Sequence, residues 1–194
     1  MKTTAAAVVS LAVCAVLWAD PHPRLADFKE LRDYSSWQEV TSGPHKVLPR
    51  TWSLCVAPPP PRWELPHPGA AGLQGKDRYI RVFASSHAAP LMRESRVERY
   101  PEGSVVAKVK LAEGSSEPVA VAFMVKRGPG SNPEGRDWEY LLFEGKPLKL
   151  LARGALSNCQ GCHGEQVYTD GLYRSYLSDG NIAAQGNDFR GGRN

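Results

Sequence analysis

The residues with the clearest chemistry are two cysteines and a histidine in the stretch SNCQGCHGEQ, residues 157–166. Cys159 and Cys162 lie one helical turn apart in sequence, and His163 follows directly. This C-x-x-C-H spacing is the attachment signature of a c-type haem. The two thiols form thioether bonds to the vinyl groups of the porphyrin, and the adjacent imidazole becomes an axial iron ligand. A redox dithiol and half of a zinc site are the alternatives that share part of this pattern.

The rest of the chain favours haem over both alternatives. A structural zinc site needs four ligands, usually two cysteine pairs or a cysteine pair with a spaced histidine pair, and the sequence has no second pair. A thioredoxin-like dithiol follows a strand within a βαβ unit, and the region before Cys159 has no such pattern. One motif predicts one covalent haem c, with His163 as the iron ligand. The opposite axial position decides the function, since a Met or His there gives an electron carrier and an open position gives a gas-binding or catalytic haem.

The beginning of the chain predicts export. Residues 1–19 combine an early lysine with a short apolar run, which is typical of a signal peptide. We therefore expect a periplasmic protein with one domain over residues 20–180 and a loose polar tail over residues 181–194. An uncleaved signal is the one expected contact with a membrane. The net charge of +4 comes from scattered basic residues, which predicts no nucleic-acid partner.

The hydrophobic pattern predicts a mainly β (α+β) domain. Apolar residues at every third position from Leu25 to Val40 favour an N-terminal amphipathic helix. Alternating or continuous apolar runs bounded by turn residues then predict an antiparallel sheet of about five strands. A helical segment is expected to carry the C-x-x-C-H motif, and a terminal helix is expected over residues 170–177. The predicted strands are Arg78–Ala84, Ser104–Leu111, Pro118–Arg127, Asp137–Gly145 and Leu148–Ala152.

Several of these stretches together resemble the cytochrome P-460 family and the related β-sheet cytochromes c′. The resemblance rests on YSSWQEV, YIRVFAS, YPEGSVVAKVK, MVKRGPGSNPEGRDWEY, CQGCH and YTDGLYRSYL, in this order and spacing. It implies a mostly antiparallel β fold, a periplasmic location and a single haem c with His163 proximal and an open distal side. It further implies a small nitrogen ligand or substrate, NO or hydroxylamine. A periplasmic electron acceptor and a second copy of the chain are the protein partners that fit it.

The resemblance also assigns family roles to two individual positions, Lys108 and Ala122. A strand lysine of cytochrome P-460 that is bonded to the haem macrocycle corresponds to Lys108 here, with a solvated strand lysine as the alternative. The distal carboxylate of hydroxylamine-oxidising members corresponds to Ala122, which cannot accept a proton. The departure disfavours hydroxylamine oxidation, because a general base must lie within hydrogen-bonding reach of its proton. An apolar pocket suits a neutral diatomic such as NO.

The other candidates for the distal pocket are Phe123, Phe83 and Arg81. The two phenylalanines could shield the distal side or fill the core, and Arg81 could serve a haem propionate or point to solvent. Met124 is expected in the core and His87 in an exposed loop. If either were instead a sixth ligand, the protein would be a six-coordinate periplasmic electron carrier. An oxidoreductase acting on hydroxylamine or NO and a gas-binding protein are the remaining functions.

Overall fold

The computed structural model describes residues 22–47, 78–111 and 114–177. The proposed signal peptide, Cys55, His67 and the tail over residues 181–194 lie outside these ranges. Within them the chain forms one antiparallel sheet of seven strands in the order β1-β3-β4-β5-β6-β7, with β2 also paired to β3. The strands are β1 (Gln38–Glu39), β2 (His45–Val47), β3 (Arg78–Ala84), β4 (Val105–Leu111), β5 (Pro118–Lys126), β6 (Trp138–Glu144) and β7 (Lys149–Gly154).

The antiparallel, mainly β fold is confirmed, and the sheet has seven strands rather than five. β3 to β7 match the predicted strands to within about two residues at each end. The two extra strands, β1 and β2, are two and three residues long. Strands this short contain too few residues for alternation to be recognised in the sequence.

The predicted N-terminal helix is not present. The segment instead forms two 3₁₀ turns, Leu25–Asp27 and Tyr34–Ser36. Apolar residues spaced three apart match the three residues per turn of a 3₁₀ helix, whereas on an α-helix they would drift around the surface. The apolar residues nevertheless face inward, since Leu25, Leu31 and Tyr34 are all buried. The terminal helix expected over residues 170–177 is likewise a series of turns.

The sheet has two faces, because successive side chains of a strand point in opposite directions. Face A carries Val82, Val106, Met124 and Tyr140. Residues 88–100 and 156–177 cover it with a second set of apolar side chains: Ala88, Ala89, Met92, Val97, Tyr100, Leu156, Cys159, Leu172 and Tyr176.

Face B carries the alternate residues of the same strands. Its core is covered by the N-terminal segment, whose Tyr34 ring packs edge-on against Phe83 and Phe123. The helix α1 (Ser157–His163) follows β7 and lies on face A, with Cys159 packed against the core of that face. Within the described residues no helix is long and apolar enough to cross a membrane.

Candidate haem-binding site

The C-x-x-C-H motif lies on the helix α1, as the sequence predicted. Seven residues, Ser157–His163, give two turns, so Cys159 and Cys162 project from neighbouring positions of one helix face. Both cysteines are half-buried and neither is in a disulfide. Both thiols are therefore in the reduced form that thioether attachment requires.

A side-chain contact fixes α1 to the loop before β6. Gln160 Nε2 donates to Asn132 Oδ1 at 2.7 Å, and Asn132 Nδ2 donates to the carbonyl of Trp138 at 2.7 Å. The side chain of Asn132 also accepts from the backbone of Gly135, capping the turn Pro133–Gly135. These bonds tie a short helix, which would not be stable alone, to the start of β6.

His163 is held by a backbone carbonyl and two aromatic rings. Its Nδ1 lies 2.7 Å from the carbonyl oxygen of Gly171. Tyr173 packs edge-on against the imidazole with 5.2 Å between ring centroids, and Tyr140 packs at 5.7 Å. The Tyr173 hydroxyl donates to the carbonyl of Cys162 at 2.9 Å, so the ring is itself fixed to the motif. The imidazole therefore has a set position and orientation.

The hydrogen bond to Gly171 decides which ring nitrogen of His163 carries the proton and which keeps a lone pair for a metal ion. A carbonyl can only accept, so Nδ1 must carry the proton and Nε2 keeps its lone pair. Burial lowers the pKa of His163 to about 4, and the positive charge of Lys108 contributes to the lowering. The imidazole is thus neutral at neutral pH. A neutral imidazole that donates through Nδ1 to a carbonyl is the usual arrangement of a histidine that ligates a metal through Nε2.

The carbonyl that holds His163 belongs to a turn anchored by a buried ion pair. Lys126 Nζ lies 2.6 Å from Asp170 Oδ2, and the two side chains are 0% and 3% exposed. Lys126 also donates to the carbonyl of Arg136 at 2.6 Å, and Asp170 accepts from the backbone of Tyr100 at 2.7 Å. Burial lowers the pKa of Lys126, and the bond to Asp170 offsets part of that effect. Gly171, at φ 90°, has a backbone conformation that favours glycine.

We expect Lys126→Met to lower the free energy of unfolding by about 3–5 kcal/mol, because it leaves the Asp170 carboxylate buried without a counter-charge. Urea unfolding of the purified protein measures the loss. Lys126→Met combined with Asp170→Asn should recover part of it, since asparagine is neutral and can still accept from Tyr100. The exposed Lys29 provides a matched control, and Lys29→Met should stay within about 0.5 kcal/mol of the native value. An equally small change for Lys126→Met would show that the pair does not anchor this turn.

Lys108 and Ala122 lie directly opposite each other on the two central strands, and both are on face A. In β4 every residue except Lys108 is buried, and in the second half of β5 every residue except Ala122 is buried. A partly exposed alanine in the middle of a sheet means that its face is not covered there. Besides burial, the positive charge of Lys108 lowers the pKa of His163, so the two side chains interact electrostatically on this face. The two thiols and the imidazole of α1 are the donor set that a c-type haem requires, and α1 lies on the same face of the sheet as this position.

The structure does not bring the other three predicted pocket residues to this face. Phe83 and Phe123 are buried in the core of face B. Arg81 is also on face B, where its guanidinium is ion-paired with Glu39 and lies over the Phe83 ring. Phe123 is adjacent to Ala122 in a strand, so the two side chains necessarily point to opposite faces. Met124 is buried in the core of face A, and His87 is exposed in the turn after β3.

The surroundings of the C-x-x-C-H motif differ from those of a redox dithiol and of a zinc site, the two alternatives considered from the sequence. β7, which leads into α1, pairs antiparallel with β6, so the motif does not follow a βαβ unit as in thioredoxin-like dithiols. Among the described residues, no three His, Cys, Asp or Glu side chains are grouped as a metal site would require.

Sequence reasoning missed the residues that support His163. Lys126 and Asp170 are 44 positions apart, and Gly171 acts through its backbone. The one available signal was a lysine at the end of an otherwise apolar strand run, PVAVAFMVK.

Comparison with known families agrees with this geometry. The model of the family described as Cytochrome P460 matches residues 67–174, more than half of the chain. The matched region contains β3 to β7, α1, Lys108, Ala122 and the Gly171 turn. No curated protein matches the chain significantly in sequence.

Proposed function

The chain belongs to the cytochrome P460 family, and from that premise we propose that it is an exported protein with one covalent haem c. Its function would be to bind or convert a small nitrogen species, NO or hydroxylamine, at an open distal side. The observation that carries the proposal is the C-x-x-C-H motif on one short helix, with His163 Nδ1 engaged by Gly171 and Nε2 free. Membership of a cytochrome family implies haem. Its covalent attachment and its number are inferred from the single motif.

The chain's own residues have distinct roles in this proposal. Cys159 and Cys162 would anchor the group through thioether bonds, and His163 would supply the proximal nitrogen. Lys108, on face A and partly exposed, is the candidate for a further covalent bond to the macrocycle. When bound, the haem supplies a redox-active iron that can take a diatomic ligand.

The pocket favours NO over hydroxylamine oxidation. Oxidation of hydroxylamine releases protons, and a positioned base must accept them. Ala122 has no such group, and the sequence of β5 contains no acid. Asp170, a buried acid of the neighbouring turn, is already bonded to Lys126 and to the backbone of Tyr100. An alanine side chain imposes no penalty on a neutral diatomic, whereas it offers no partner to the polar groups of hydroxylamine.

The optical spectrum of the reduced protein tests the open distal side. We expect a high-spin five-coordinate spectrum that changes on addition of NO. A low-spin six-coordinate spectrum without added ligand would instead indicate a protein sixth ligand and an electron carrier.

We expect His163→Ala to leave haem attached through both thioethers while the native spin state is lost, because His163 is the proposed proximal ligand. The measurement is the ferrous spectrum of purified protein, with haem content determined under denaturing conditions. His87→Ala is the matched control, since His87 is exposed in the turn after β3, and its spectrum should be native. A native spectrum in His163→Ala would remove His163 from the site.

A further inference from the structure

Arg174 is a buried arginine whose donors are not all used. The residue is 8% exposed. Its Nη2 donates to the carbonyl of Leu91 at a long 3.3 Å. Neither Nε nor Nη1 finds an acceptor in the part of the chain that the structure describes. Burying a guanidinium without partners is costly, and buried charges in proteins are normally paired or hydrogen-bonded. The unused donors therefore point to a ligand.

Among the residues that the structure describes, none forms an ion pair with Arg174. Burial raises the pKa of Tyr100, and the charge of the neighbouring Arg174 guanidinium and its hydrogen bond to the Tyr100 hydroxyl oppose that rise, so this neutral hydroxyl is a partner of Arg174 but not a counter-charge. That hydroxyl also lies 3.5 Å from the sulfur of Met92. The Asp170 carboxylate accepts a hydrogen bond from the backbone N–H of Tyr100, but its charge is already neutralised by Lys126. Within the described residues, no carboxylate therefore balances the buried guanidinium charge, and two of its donors stay unused.

Arg174 is on the same side of the sheet as the C-x-x-C-H motif. It directly follows Tyr173, whose ring packs on His163 and whose hydroxyl binds the carbonyl of Cys162. Its contacts, Leu91 and Tyr100, belong to the core of face A. The guanidinium is thus attached to the segment that positions the proximal histidine.

A guanidinium prefers a carboxylate or phosphate as its partner, since its planar set of N–H donors matches two anionic oxygens. Haem carries two propionate carboxylates. Resting on the proposed function, we infer that Arg174 binds a propionate carboxylate of the haem. Arg81, considered for this role from the sequence, is on face B and ion-paired with Glu39.

The test compares Arg174→Gln, Arg174→Lys and the control Arg81→Gln in the haem-loaded protein. The readouts are the midpoint potential against pH and the propionate bending modes in the resonance Raman spectrum. Removing a nearby positive charge destabilises the electron-rich ferrous state, so Arg174→Gln should have a lower potential than the native protein. Its propionate should have a higher pKa, because the guanidinium no longer stabilises the carboxylate, and the potential should become more pH-dependent. The control should be native in both readouts.

Arg174→Lys retains the charge but not the planar donor set. It should shift the propionate modes while keeping the potential closer to native, and it decides the question if Arg174→Gln does not fold. Native propionate modes in Arg174→Lys, or a native potential and modes in Arg174→Gln, would contradict the inference. Haem content of the native protein separates the two proposals. A native protein without haem contradicts both, whereas a haem-loaded Arg174 variant with native readouts contradicts only the role of Arg174.

Discussion

Cys159→Ser and Cys162→Ser, introduced together with Lys108→Ala, should leave a protein that retains no haem after acid–acetone extraction. The two serines remove both proposed thioether bonds, since a hydroxyl does not replace the thiol in this linkage. Lys108→Ala is included because a bond from this lysine to the macrocycle could hold haem without either cysteine. Haem content is measured by absorbance before and after extraction.

Two further variants make the result specific. Cys55→Ser changes another cysteine of the chain and should leave covalent haem at the native level. The double cysteine variant with Lys108 intact reports on the cross-link, because haem that resists extraction there and is lost on Lys108→Ala must be bonded through Lys108. Haem that survives extraction in the triple variant would show that the C-x-x-C-H motif is not the attachment site.

Ala122→Glu should raise hydroxylamine turnover, by up to the roughly 10²–10⁴-fold that a positioned base typically contributes. The register places residue 122 opposite Lys108 on face A, beside the uncovered part of the sheet. Where Lys108 is bonded to the macrocycle, partial burial should raise the pKa of the introduced carboxylate above its usual value of about 4.3, whereas an unlinked, protonated Lys108 opposite it would lower that pKa. A carboxylate accepts a proton only when ionised, so the added activity should increase with pH through that pKa.

Steady-state turnover with an artificial electron acceptor, across a pH series, measures this effect. Val119→Glu is the matched control, because it puts the same charge on β5 but on face B, and it should not increase turnover. Fast turnover by the native protein would show that another group acts as the base. An unchanged rate in a haem-loaded Ala122→Glu protein would show that proton transfer at this position does not limit the reaction.

Local patterns account for what the sequence could predict of the fold. β3 to β7 were recognisable because their apolar runs are five or more residues long and are bounded by Gly, Pro and Asp turns. The segment from Leu25 to Val40 was assigned to the wrong kind of helix, since a spacing of three was taken for an α-helical pattern. Its inward-facing residues were nonetheless identified, because burial follows apolarity in either helix.

The candidate site likewise contains residues whose arrangement the sequence could predict and residues whose position depends on strand pairing. Cys159, Cys162 and His163 are adjacent in sequence, so their arrangement on one helix was predictable. The pairing of Lys108 with Ala122 depends on strand register, which is known only from the folded sheet. Strand parity alone puts Phe123 on the face opposite Ala122. Arg81 and Phe83 could be assigned to a face only once β3 was paired with β4.

The supporting residues could not be predicted, because their partners are distant in the chain. Lys126 and Asp170 meet only when the turn after α1 folds back onto the end of β5. The role of Gly171 depends on a carbonyl, which every residue has. Arg174 becomes notable only through its burial and its unused donors.

The most direct test is peptide mapping of the native protein by mass spectrometry, after expression in a host that exports and matures c-type cytochromes. We predict one haem per chain, carried by the peptide that contains Cys159, Cys162 and His163, with neither cysteine available to a thiol reagent. Exported, folded protein in which both cysteines are free thiols and no peptide carries haem would contradict the assignment of this chain as a c-type cytochrome.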